Sequence, residues 1–196
     1  MRTLFRICLL LIFFSSCTQK ESYRFTTIPA NKSGVTFINN IKDTKELNIF
    51  NYLYYYNGGG VAAADFNGDD LNDLYFTSNT ETDKLYINTG DLIFEEVNSN
   101  NFKTNQTRDY TTGVSIVDIN NDGLLDIYVS KVNGILSEAS HNLLFVNQGN
   151  DEQNHPTFIE SSAAYNLDIS SYSTQAVFFD FDLDGDLDLF LMNHSV

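Results

Sequence analysis

The sequence predicts an all-β protein, a β-propeller of four-stranded blades, and three observations carry that prediction. An acidic run recurs three times at a spacing close to the size of one blade, roughly 40 to 50 residues plus insertions. Between the runs lie segments of four to eight residues rich in Val, Ile, Phe and Tyr, bounded by Asn, Asp and Gly, which is strand patterning. No stretch sustains a helical period. The chain has 196 residues, 42% hydrophobic and 14% aromatic, so it can bury a core and is not a disordered tail.

Taken in chain order, the first element is an address. Arg2 and Arg6 form a cationic start, Ile7 to Phe14 an apolar stretch, and Ser15-Ser16-Cys17 a small-residue cleavage site. Eight apolar residues are too few to span a bilayer as a helix. A signal ending in small-small-Cys resembles the lipobox of bacterial lipoproteins, in which the Cys becomes the acylated first residue; an ordinary secretory signal is the alternative. The domain division expected is therefore a signal peptide over residues 1–16, lipidated Cys17 with a tether over 17–24, and propeller repeats over 25–196. Cys8 would leave with the signal and Cys17 would be acylated, so no disulfide would staple the exported chain. The mature chain would keep 9 basic against 26 acidic residues, a net −17. The tether residues Lys20-Glu21 resemble the sorting stretch of lipoproteins carried to the outer face of the outer membrane.

The aromatic stretch from Asn48 to Tyr56 follows, and its pattern fits either a strand or a short helix. Tyr52 and Tyr54 to Tyr56 could pack in a core on alternate positions or offer a face for stacking a sugar. Asn57-Gly58-Gly59-Gly60 has no Lys and precedes a strand, which makes it an entry to a blade and not a phosphate-binding loop.

Three units then repeat. They read GVAAADFNGDDLNDLYFTSN from Gly60, GVSIVDINNDGLLDIYVSKV from Gly113 and QAVFFDFDLDGDLDLFLMNH from Gln175, and their first aspartates, Asp65, Asp118 and Asp180, are spaced by 53 and 62 residues. The segment from Lys84 to Glu96 matches the one from Asn142 to Glu160, so each unit reads strand, acidic loop, strand, turn, strand, Gly turn, strand. With two full units and part of a third, the expectation is an N-terminal fragment, about three blades of a ring of seven; a three-blade protein closing by oligomerisation is the alternative.

Oxygen side chains fall at loop positions 1, 3, 5 and 9: Asp65, Asn67, Asp69 and Asp73; Asp118, Asn120, Asp122 and Asp126; Asp180, Asp182, Asp184 and Asp188. Position 7, at Leu71, Leu124 and Asp186, would add its backbone carbonyl. A hard cation such as Ca²⁺ takes six to eight oxygens, and a tight loop whose alternate side chains point inward can supply them. Up to three Ca²⁺ ions are expected. Gly123 and Gly185 sit where the chain must turn sharply, and Asp70 takes that place in the first loop. The spacing resembles the start of an EF-hand, but position 12 is Phe76, Val129 and Leu191 instead of a bidentate Glu. Mg²⁺ fits less well because it demands rigid octahedral geometry, and Zn²⁺ lacks Cys or clustered His. Polar hairpin turns are the bland alternative, since Asp, Asn and Gly dominate turns; three copies in one register, holding 12 of the 26 acids, argue against it. The third loop, with five carboxylates, is expected to bind tightest.

These runs resemble the FG-GAP/VCBS repeat of integrin-type β-propellers. The carriers are YNGGGVAAADFNGDDLNDLYFTSN, LYIN, TTGVSIVDINNDGLLDIYVS, LLFVNQG and YSTQAVFFDFDLDGDLDLFLMNHS, and the stretch from Phe25 onward is similar to the N-terminal part of exported bacterial proteins that carry a later ASPIC/UnbV domain. The third unit departs from the pattern with Gln175-Ala176 in place of Gly-Val.

The function expected is a cell-envelope module, anchored in the membrane through lipid and placed at the outer membrane, that binds calcium and serves protein or glycan binding. It is expected to be non-catalytic in this region. The alternative is an enzyme, such as a polysaccharide-active one, whose catalytic residues lie on propeller loops or in a C-terminal region. No G-x-S-x-G elbow is present, His141, His155 and His194 are scattered, and Glu95 and Glu160 read as equivalent, architectural repeat positions and not as a catalytic pair. A net charge of −15 without a basic cluster argues against nucleic acid.

Overall fold

A computed structural model describes residues 24–104, 110–136 and 140–195. The signal peptide, Cys17 and the tether up to residue 23 lie outside the described residues. The described chain is almost entirely strands and turns. Among the described residues no helix is long and apolar enough to cross a membrane. A short α-helix, α1 (Ala30–Ser33), closes on Gly34 in the left-handed region at φ 78°.

The first unit is a four-stranded antiparallel sheet in the order β1 (Val61–Ala64), β2 (Asp73–Phe76), β3 (Lys84–Asn88), β4 (Phe94–Glu96). The second repeats it with β6 (Thr111–Val117), β7 (Asp126–Lys131), β8 (Leu143–Asn150) and β9 (Pro156–Glu160), and adds β5 (Phe102–Lys103) parallel to β9 at the outer edge. The third contributes the hairpin β10 (Ser173–Phe179) and β11 (Asp188–Asn193). These are two blades and an inner strand pair, as the repeat predicts. The parallel edge strand β5 was not legible, because two residues carry no period.

Burial explains why the middle unit has lost the usual apolar–polar alternation. All of β7 is buried. Ile127 and Val129 face the first blade with Ala64, Phe66, Tyr75, Leu85 and Phe158, while Tyr128, between them, faces the third with Leu144, Val146 and Ala176. Period-2 geometry sends successive side chains to opposite faces, and here each face meets a neighbouring blade. In the third unit only one face is covered: Ala176, Phe178, Leu189 and Leu191 pack on the second blade. Val177, Phe179, Phe190 and Met192 on the other face stay 41–61% exposed.

The stretch 48–56 is neither strand nor helix. It forms consecutive turns that place Tyr52 and Tyr55 in a cluster with Tyr110 and Val132. Core packing thus holds for those two rings. The segment before it covers the outside of the first blade, with Phe37 stacked on Phe76 at 4.9 Å between ring centroids.

The innermost strands β1, β6 and β10 run side by side. Thr77 donates its hydroxyl to the Thr112 carbonyl, and Thr112 donates in turn to the Ser173 carbonyl. A side chain at Gly113 would overlap the Thr174 carbonyl and the Gln175 side chain. Glycine stands there for close approach, not for a positive φ. Gln175, where the third unit departs from glycine, reaches back to β6, its Nε2 3.1 Å from the Val114 carbonyl.

Candidate metal centre

Each acidic loop joins the first two strands of its unit: β1 to β2, β6 to β7, β10 to β11. Position 1 accepts the backbone N–H groups of the turn. Asp65 takes those of Gly68, Asp69 and Asp70; Asp118 takes Asp122 and Gly123; Asp180 takes Asp184 and Gly185. Position 5 accepts from position 7: Leu71 to Asp69 at 2.9 Å, Leu124 to Asp122 at 2.8 Å, Asp186 to Asp184 at 3.1 Å. Position 9 reaches back to position 2, through Phe66 to Asp73, Ile119 to Asp126 and Phe181 to Asp188. The three loops therefore share one hydrogen-bond scheme. Position 12, at Phe76, Val129 and Leu191, lies within strands, as the contrast with an EF-hand requires.

Two features of the turn went beyond the sequence reading. Position 6 is left-handed as expected, at Asp70 (φ 67°), Gly123 (φ 86°) and Gly185 (φ 95°), but position 4 is left-handed too, at Gly68, Asn121 and Leu183. Leu183 at φ 64° is a strained choice, since only Gly, Asn and Asp adopt that region readily. The second feature is an asparagine on the third strand. Asn88 and Asn147 each donate their backbone N–H to the position-9 carboxylate, at 2.8 Å to Asp73 and to Asp126. The repeated Asn in LYIN and LLFVN was the signal for it.

The side chains differ between loops. Asn67 and Asn120 turn their amide groups onto Asp69 and Asp122, at 3.1 and 2.8 Å. The third loop has Asp182 at that position, and carboxylate oxygens of Asp180, Asp182 and Asp188 come within 4.8 Å of one another. Among the described residues this is the one such group. A cation held at about 2.4 Å from each oxygen spans that separation, so the donors fit a hard ion. Asp184 stands apart from the group: its hydrogen bonds with Asp186 hold it below the usual carboxylate range, while the side-chain hydrogen bond and the negative charge of Asp184 raise Asp186. Burial pushes Asp73 up to about 6 and Asp126 in the same direction, against the pull of the two backbone N–H groups each accepts.

The first loop is also braced from the second blade. Asn147 Nδ2 donates to the Phe66 carbonyl at 3.0 Å, and Asn150 Nδ2 to the Asn67 carbonyl at 2.8 Å. Residues 65–129, which span the first loop, the second loop and the strands between them, match the family described as FG-GAP-like repeat. The chain carries FG-GAP-type repeats. That match speaks for the repeat and not for an ASPIC/UnbV domain. No curated protein matches the chain.

The FG-GAP register corrects one sequence expectation. β9 pairs with β8 through Phe145↔Glu160, and β4 with β3 through Tyr86↔Glu96, so Glu160 is equivalent to Glu96 and not to Glu95. Glu95 corresponds to Ile159. Glu96 forms an ion pair with Lys84, and Glu160 accepts the Ser162 N–H.

The FG-GAP units also share a polar network that the sequence reading missed, and one charge distinguishes its two copies. In the first blade Asp83 accepts from Ser78 N–H, Thr111 hydroxyl and Tyr75 hydroxyl. In the second, Asn142 accepts Lys131 N–H and donates to Tyr128 hydroxyl and Ser173 hydroxyl. The pair register makes Asp83 and Asn142 equivalent, as it does Tyr75 and Tyr128. Asp83 lines a cavity of about 220 Å³ between the blades, shared with Lys131, Phe102 and Phe145. Burial lifts its carboxyl from 3.8 to about 6, opposed by its three hydrogen bonds and by Lys131. A carboxyl raised on folding holds its proton more tightly in the folded state. Stability contributed by the protonated form is therefore present below pH 4 and lost as pH climbs to about 6. Asp83→Asn, which copies the network at Asn142, should remove this slope and stabilise the protein at pH 7 by on the order of 3 kcal/mol. Denaturant titrations of both proteins from pH 4 to pH 7 check this, and parallel stability curves would refute it.

Proposed function

We propose that the chain is a calcium-binding β-propeller repeat module, held at the cell envelope and outer membrane by a lipid on Cys17, that serves protein or glycan binding and is non-catalytic in this region. The observation that carries the calcium reading is the group of Asp180, Asp182 and Asp188 within 4.8 Å, at the end of a hydrogen-bond scheme that all three loops share. In the first two loops Asp65, Asn67, Asp69 and Asp73, and Asp118, Asn120, Asp122 and Asp126, would hold the ion once the Asn amides turn their oxygens inward. Position 7 would give its carbonyl, at Leu71, Leu124 and Asp186. Asp184 would have to leave Asp186 to join the third site. When bound, the cation would neutralise crowded carboxylates and tie two strands of a blade together, a staple for an exported chain without disulfides.

Calcium titration of the purified protein by calorimetry, with melting in calcium and in chelator, tests the proposal. The expected result is saturation near roughly three ions and a melting point that falls in chelator. Asp182→Ala should remove one ion from the stoichiometry. A folded protein that takes up no calcium at millimolar concentration overturns the reading.

A further inference from the structure

We propose that the cleft beside the innermost strands receives the terminal ring of a neutral oligosaccharide; this rests on the reading of the chain as a binding module. The cleft has a volume of about 230 Å³, a size for a small ligand or the end of a longer one. Its floor is backbone: Gly58, Gly59, Gly60 and Gly113 bring no side chains to it. One wall is a ring cluster assembled from distant parts of the chain. Tyr54 lies 4.2 Å from His194 between ring centroids, and Tyr52 and Tyr172 lie 5.5 and 5.3 Å from the same imidazole. His194 is locked in place. Its Nδ1 lies 3.0 Å from the Ser195 carbonyl, which can only accept, so Nε2 accepts from the Tyr52 hydroxyl at 2.7 Å. Burial raises Tyr52 to about 12, so it keeps the proton it donates.

Two properties of this cleft select the ligand. First, among the described residues its lining has no Asp, Glu, Lys or Arg, although the chain carries 26 acidic and 11 basic residues. A charged ligand would find no counter-charge among these lining residues, and an anionic polysaccharide would also meet the net −15 of the chain. Second, the cleft joins an aromatic face to polar groups with spare capacity. The Tyr54 hydroxyl and the Asn57 carboxamide make no hydrogen bond among the described residues, and Thr174 and Gln175 also line the cleft. A pyranose ring has that duality: a flat C–H face that packs on an aromatic ring and a rim of hydroxyls that pairs with amides. Tyrosine is suited to it, being flat, stiff and amphipathic.

The test uses the purified protein in calcium buffer with laminarihexaose, cellohexaose, maltohexaose and xylohexaose, read by saturation-transfer NMR and calorimetry. Polygalacturonate and choline serve as the anionic and cationic probes. At least one neutral oligosaccharide should bind saturably, with magnetisation reaching it from tyrosine rings. Tyr54→Ala should weaken that binding about tenfold, the effect of losing one aromatic contact and its surrounding area. Asn57→Ala, at an exposed side chain without a hydrogen-bond partner among the described residues, should weaken it without touching the fold, whereas Phe50→Ala, on a ring 97% exposed outside the cleft, should leave it unchanged. Binding of none of the four sugars, binding of polygalacturonate or choline alone, or sugar binding indifferent to Tyr54→Ala and Asn57→Ala overturns the proposal. Calcium titration of the same sample separates the two readings: saturation with calcium but with no sugar refutes the cleft and leaves the module, and sugar binding without calcium uptake does the reverse.

Discussion

Asp126→Ala should lower stability by about 3 kcal/mol even in chelator, where no metal effect can enter. Asp126 is fully buried, and its two oxygens accept the backbone N–H groups of Ile119 and Asn147 at 2.9 and 2.8 Å. Removing the carboxylate leaves both donors without a partner, and an unsatisfied buried donor costs about 1–3 kcal/mol. For a chain of this size that is a drop in melting temperature of roughly 10 °C. Asp126→Asn should fall between, since its one remaining oxygen can serve only one of the two donors. Asp122→Ala separates the two roles of the loop. Asp122 is exposed, so its loss should change the chelated protein little and remove only the second loop's share of the extra stability gained from calcium. Denaturant unfolding of the three variants with and without calcium reads both effects. An Asp126→Ala protein as stable as the parent in chelator would remove the carboxylate from the architecture of the blade.

Gly113→Ala is the second large effect, and it acts between blades instead of within one. The added methyl would collide with the Gln175 side chain and with the Thr174 carbonyl. The side chain can swing away but the carbonyl is backbone, so β10 must move as a unit. Overpacking of this kind costs typically about 1–3 kcal/mol. The expected signature is local: faster hydrogen exchange through β10 and β11, with β1 to β4 unaffected. Adding Gln175→Ala should recover only part of the loss. Gly60→Ala is the control, because a methyl there comes to 3.0 Å of the Thr112 carbonyl and needs a shift of only a few tenths of an ångström. Equal costs at Gly60 and Gly113 would mean that the spacing of the inner strands does not set them.

The sequence made the strand order and the loops legible because both repeat, and a repeat compares the chain with itself. Asp65, Asp118 and Asp180 declared the loops, and strands followed from what flanked them. Asn88 and Asn147 were readable by the same means. What could not be read was anything that occurs once or joins distant segments. The Asn48–Tyr56 stretch is rich in aromatics without a strand's alternation, because turns place Tyr52 and Tyr55 on Tyr110 from a separate part of the chain. His194 looked scattered in the sequence; it meets Tyr52 across 142 positions. Asp83 gave no signal, since an Asp in a turn region is commonplace, and only the register against Asn142 marks it as the charged member of a pair. The cluster of three carboxylates in the third loop follows from one residue, Asp182, where the other loops place Asn67 and Asn120.

The two braces from Asn147 and Asn150 onto the first loop have a thermodynamic consequence. They grip the carbonyls of Phe66 and Asn67, the backbone from which the side chains of loop positions 2 and 3 project. Any cation that settles the first loop also settles the surface on which the second blade closes, and closure of that blade preshapes the loop for the cation. Linkage makes the two reciprocal: whatever factor calcium adds to the docking constant of the blades, docking adds to the affinity for calcium. With calcium held as proposed, its concentration would act as a tension control on the joint between the first two blades, tightening it where calcium is plentiful and slackening it where calcium is scarce.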